Sequence, residues 1–141
     1  MRLVIIESPY AGDIEANTAY ARAAVRDSLS RCEAPIASHL LYTQPGVLRD
    51  DVPDERKWGI QAGLAWGAVA QATVVYTDRG ISSGMRWGIE NAKKAGRPVE
   101  FRTLGTTPSL TVIDAKPHRD RHRDHIGRFH IPGRPHFPSI R

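Results

Sequence analysis

A chain of 141 residues has room for one hydrophobic core and little beyond it. Its one cysteine, Cys32, excludes an intrachain disulfide and a cysteine-based zinc cluster built from this chain alone. The formal charge of +5 is unevenly placed: residues 106–141 carry seven Lys/Arg against three Asp, which is +4 of that total, so any nucleic-acid argument rests on this segment.

The run Leu3-Val4-Ile5-Ile6-Glu7 is apolar without alternation, as in a strand buried on both faces of a parallel sheet. Glu7 ends it too early for a secretory apolar region, and no later stretch reaches the length of a membrane span. The expectation is a cytoplasmic protein without a membrane partner. Ser8 to Gly12 reads as a loop, with Asp13 capping the helix that follows and Glu15 in its first turn. Along that helix Ile14, Thr18, Ala21, Val25, Leu29 and Cys32 recur every three or four residues, which predicts one buried stripe.

Pro35-Ile36-Ala37-Ser38 reads as a second strand, and Leu40 to Pro53 as a long irregular segment of the kind that covers a site or lacks order. A helix is predicted from Pro53 or Asp54 to about Ala70. Within it Gly59, Gly63 and Gly67 form a row that lets another backbone approach, either the chain's own sheet or a second copy. With Trp58 and Trp66 nearby, a homodimer or a multiple of it is expected. Ala72 to Tyr76 is the third strand, Ser83 opens a helix ending at Gly96, and Arg97 to Phe101 is the fourth strand.

This order predicts an α/β fold, a Rossmann-like (flavodoxin-like) three-layer sandwich. Its mainly parallel sheet has strands at about 2–7, 34–37, 72–77 and 97–102 and helices on both faces. The domain spans residues 1–104, and residues 105–141 form a basic Pro/His/Arg-rich extension. Leu110 to Ile113 reads as one more edge strand. Residues 116–141 offer few apolar side chains and are expected to be dispensable for the fold. His118, His122 and His125 have the spacing of a metal-binding helix face. The interleaved arginines and aspartates favour a solvated segment, so neither a metal nor a cofactor is expected.

In open α/β sheets, ligands bind beyond the carboxyl ends of the strands. Tyr10, Gly12, Asp13 and Asn17 follow the first strand; Tyr10 suits stacking on a flat base, while a plain loop with a capping Asp explains the segment equally well. His39 follows the second strand, and a lone histidine there is more often structural. Asp78, Ser82, Ser83, Gly84 and Met85 follow the third. Ser82 to Gly84 stand where a helix begins, so free N–H groups and the helix dipole suit an anion such as a 5′-phosphate, although serine caps are common. Met85 and Tyr10 are expected to flank the flat part of the ligand.

Ser8-Pro9-Tyr10-Ala11-Gly12-Asp13-Ile14-Glu15-Ala16-Asn17, Pro35 to Leu40, Ile81 to Met85 and Gly96-Arg97-Pro98-Val99, taken in order, resemble the nucleoside 2-deoxyribosyltransferase-like superfamily. They look closest to its small, uncharacterised phage and bacterial branch, over about residues 1–104. The resemblance implies cleavage or exchange of the N-glycosidic bond of nucleosides or nucleoside monophosphates, with a glutamate near the start of a late helix attacking the anomeric carbon or assisting water. That place falls on Gly88 in this chain. Glu90 stands two residues on, about 200° around a helix, which leaves Asp13, Asp78 and Glu90 as the candidate catalytic carboxylates.

Two readings stay open: an N-glycosidase or deoxyribosyltransferase-like enzyme with a relocated carboxylate, and a non-catalytic nucleotide binder. With Gly88 at the glutamate's place, cleavage is expected to be slow or absent and binding retained. A third reading is nucleic-acid contact through residues 116–141, where Asp120 and Asp124 dilute Arg119, Arg121, Arg123, Arg128 and Phe129.

Overall fold

Strand β1 (Arg2–Glu7) is the first of four parallel strands and lies inside the sheet, between β2 (Glu33–Ile36) and β3 (Ala72–Tyr76), with β4 (Val99–Arg102) beyond β3. A computed structural model describes residues 1–105. In register, Ile5 pairs with Ile36 on one side and Thr73 on the other. The expected α/β class with a parallel sheet is what the chain adopts. The expected strand at 110–113, the histidines at 118, 122 and 125 and the arginine-rich segment lie outside the described residues. No helix among the described residues is long and apolar enough to cross a membrane.

Alternation along the strands divides the core. Val4, Ile6, Ala72, Val74 and Tyr76 pack with Ala24 and the flanking Tyr20 and Val25 of α1 (Ile14–Ser30). Val75 packs with Met85 and Ile89 of α4 (Ser83–Lys94). Neighbouring strand residues point to opposite faces, so α1 and α4 cover opposite sides of the sheet. From β1 the chain crosses to β2 at one edge, then returns past β1 to β3. That reversal opens a crevice between the carboxyl ends of β1 and β3, where α/β sheets bind ligands.

Three details differ from the sequence expectation. The buried stripe of α1 is Asn17, Ala21, Ala24, Asp27 and Ser28, while Ile14 and Leu29 are each 49% exposed. The small residues allow close approach, and the polar members have partners. Tyr76 Oη donates to Asp27 at 2.6 Å, and Ser28 Oγ donates to Glu33 at 2.7 Å. Hydrophobic periodicity does not register polar groups that are satisfied internally. The second strand begins at Glu33 and ends before Ala37, and Ser38–Leu41 form a short helix, α2. Pro35 is tolerated because β2 is an edge strand.

The third difference is helix α3 (Pro53–Ala65), which passes into a single 3₁₀ turn at Trp66–Ala68 instead of reaching residue 70. Its glycine row faces the chain itself. A Cβ on Gly63 would lie 2.6 Å from Ser38 Oγ, and one on Gly67 would lie 2.8 Å from the Arg97 guanidinium. The close approach is therefore to α2 and to Arg97, which also donates to Thr73 Oγ1 and to the carbonyl of Gly67. Trp58 and Trp66 remain exposed.

Candidate active site

A cavity of about 200 Å³ opens at the carboxyl ends of β1 and β3, smaller than the usual ligand pocket. Glu7, Ser8 and Tyr10 line it from β1 and the loop beyond; Ser38, His39 and Tyr42 line it from α2 and its end. Residues of α3, including Glu55, Arg56 and Gly59, form another wall, and Leu48 and Asp50 close it from the irregular segment, which thus acts as a cover. Ser82 to Met85, Trp87, Gly88 and Arg97 complete the lining.

Glu7 is the last residue of β1, and alternation turns its side chain to the α4 face of the sheet. There it meets the bare backbone of Gly88. A Cβ at position 88 would lie 2.6 Å from Glu7 Cδ and closer still to Oε1, so the carboxyl group fills the space a side chain would take. Among the described residues no donor hydrogen-bonds this carboxyl. Burial pushes its pKa up to about 8, against the opposing pull of the Arg97 charge. It is therefore mainly protonated at neutral pH.

The other carboxylates of the lining are engaged. Arg56 Nη1 donates to Asp50 at 2.5 Å, and the Arg49 N–H donates to Glu55 at 2.6 Å. His39 is deep in the wall, with Nε2 2.7 Å from Ser8 Oγ, and burial pushes its pKa down to about 4. The imidazole is neutral at neutral pH and orients the Ser8 hydroxyl. At the start of α4, Ser82 Oγ accepts from the Met85 N–H at 3.3 Å. The N–H groups of Ser83 and Gly84 have no acceptor among the described residues and stand at the cavity lining.

Of the residues expected from sequence, Tyr10, His39, Ser82, Ser83, Gly84 and Met85 come together here. Gly12, Asp13, Asn17, Asp78 and Glu90 do not line the cavity. Asp13 is exposed and caps α1 through the Ala16 N–H at 3.1 Å. Gly12 supplies the turn before it, with φ 94°. Asn17 is buried and holds the loop, donating to the carbonyls of Tyr10 and Ala11 and accepting from Arg79 Nε. Asp78 accepts from Tyr20 Oη and from the Leu104 N–H; the Tyr20 bond, first, holds its carboxyl below the usual range. Glu90 is on the solvent side of α4, whose buried positions are Met85, Gly88, Ile89 and Ala92. None of Asp13, Asp78 and Glu90 is thus in the lining, whose carboxyl groups are Glu7, Asp50 and Glu55.

Residues 2–102 match the model of a family described as a domain of unknown function, DUF7768. The chain belongs to the DUF7768 family. A comparison with curated proteins finds no match. Among solved structures, this DUF7768 chain is similar to a 2-deoxyribosyltransferase from the psychrotolerant bacterium Bacillus psychrosaccharolyticus. The TM-score is 0.58 at 16% identity, over 79% of this chain and 80% of that one. A 2-deoxyribosyltransferase from Leishmania mexicana aligns over 77% of this chain and 68% of its own, with a TM-score of 0.49 at 12% identity. The first of these similarities establishes the shared fold.

Proposed function

We propose that the cavity binds a nucleoside or nucleoside 5′-monophosphate and cleaves its N-glycosidic bond. The observation that carries this reading is the pairing, within one small cavity, of an anion-ready helix start at Ser83 and Gly84 with a carboxyl group at Glu7. A phosphate at the start of α4 would accept the two free N–H groups under a favourable dipole. The sugar would then span the floor toward Glu7, with Tyr10 against the flat base and His39, through Ser8, offering a neutral hydrogen-bonding wall. The fold shared with a deoxyribosyltransferase supports the substrate class.

Gly88, in place of a glutamate, favours a second reading, a binder that does not cleave. The same reading of the chain includes membership of a phage and bacterial branch and assembly into a homodimer through the exposed Trp58 and Trp66 face. Incubation with a panel of nucleosides and their 5′-monophosphates, quantifying free base and intact ligand, tests the proposal. The expected result is loss of one ligand class with an equal molar release of base. Binding without release decides for the second reading, and neither binding nor release contradicts both.

A further inference from the structure

We infer that Glu7 is the catalytic carboxyl of this site, acting first as the acid that protonates the leaving base and then as the base that activates water. The inference rests on the glycosidic reading and adds to it the residue that performs the step. Its ground is a juxtaposition. The end of β1 brings a carboxyl into the cavity, and α4 leaves a glycine opposite, so that the carboxyl occupies the place a helix side chain would fill. Of the three carboxyl groups in the lining, Asp50 and Glu55 are bound by arginine side-chain and backbone donors, and Glu7 alone has no hydrogen-bond donor among the described residues.

The chemistry follows from the environment. A carboxyl largely, though not wholly, withdrawn from water, with no protein donor to stabilise its anion, holds its proton, which is the form a general acid needs. The titratable and charged groups that share the lining with it are Arg97, Tyr10, the neutral His39 and Tyr42 from α2 and its end, Asp50, and Arg56 and Glu55 from α3. Among the described residues Arg97 is the cation whose charge is felt at the carboxyl, and it becomes a counter-charge once the proton has left.

Glu7 gives its proton to a ring nitrogen of the base. The bond between that base and the anomeric carbon breaks, with its electron pair remaining on the base. The sugar is left as an oxocarbenium ion facing the new carboxylate. Water then adds to the anomeric carbon and yields its proton to Glu7, which restores the starting acid. The sum is one nucleoside and one water to one free base and one free sugar, with no other reactant.

The test uses the full chain, the best ligand of the panel, and three proteins: wild type, Glu7→Gln, and the exchange variant Glu7→Gly/Gly88→Glu. Glu7→Gln keeps the shape and is expected to bind within about threefold of wild type by calorimetry while kcat falls at least about 100-fold. The exchange variant returns a carboxyl to the same space from α4 and is expected to recover at least about tenfold over Glu7→Gln. The wild-type rate should fall as pH rises through about 8, a limb absent from the residual rate of Glu7→Gln. Base release by Glu7→Gln at the wild-type rate overturns the inference. So does a wild type that binds but never releases base, which leaves the binding half of the proposed function standing. A wild type that binds nothing overturns both.

Discussion

Replacing Arg102 with methionine is expected to destabilise the fold by about 3 kcal/mol, the low end of the cost of breaking a buried ion pair. Arg102 grips both oxygens of Glu33 at 2.8 Å and one oxygen of Glu100 at 2.6 Å. The Arg102 side chain is 12% exposed and that of Glu33 6%. These bonds hold the Glu33 carboxyl below its usual range, with Ser28 and the charge of Arg2 assisting. Loss of Arg102 leaves Glu33 buried with Ser28 Oγ and a 3.7 Å ion pair to Arg2, which is why the low end of the range applies.

The pH sign follows from the depressed folded pKa. The pair's contribution is present above the unfolded carboxylate pKa and is lost as pH falls through the folded one. Urea unfolding at neutral pH should show a lower midpoint with an unchanged m-value in Arg102→Met, and the gap to wild type should narrow in acid. Adding Glu33→Gln should recover part of the loss. A loss under about 1 kcal/mol would place this network with weak surface pairs instead.

The second large effect concerns Glu7. Its folded pKa, pushed up to about 8 from 4.5, lies above its unfolded value. The unfolded chain therefore releases this proton at lower pH than the folded chain does. The associated stability is fully present below the unfolded pKa and is lost as pH rises through the folded pKa. At neutral pH the difference is at most about 3 kcal/mol, because the cavity opens to solvent. Glu7→Gln removes the titrating group and should be more stable than wild type at pH about 8, with a flatter stability profile between about pH 5 and 8. Parallel profiles for the two proteins, measured by urea unfolding across that window, would contradict the assignment.

The parallel class was legible because Leu3 to Ile6 and Ala72 to Tyr76 are short, continuous apolar runs separated by helical patterns. The α1 stripe is not legible in the same way, because its buried positions are alanines and satisfied polar groups, which hydrophobic periodicity passes over. At the site, the loop residues Tyr10 and Ser82 to Met85 could be read from their place after strands. Glu7 could not be assigned in the same way, since it reads as a strand end and its partner Gly88 is far along the chain. Two signals pointed there: a carboxylate at the carboxyl end of a central strand, and a glycine inside a helix, where it costs about 1 kcal/mol relative to alanine. Only the fold places them against each other. Asp13 and Asp78 stand in the same loops, where Asp13 caps α1 and Asp78 accepts from Tyr20.

Calorimetric titration decides whether the start of α4 holds the anion of a nucleotide at this cavity. Wild type and Ser83→Asp would each be titrated with a nucleoside and its 5′-monophosphate. Ser83 is exposed at the first position of α4, where an aspartate is compatible with the helix dipole, so the variant should melt at the wild-type temperature. Wild type should bind the monophosphate more tightly than the nucleoside. Ser83→Asp should lose at least about tenfold in affinity for the monophosphate, and little for the nucleoside, through like-charge repulsion. Equal affinities for both ligands in both proteins would rule out an anion site at the start of α4.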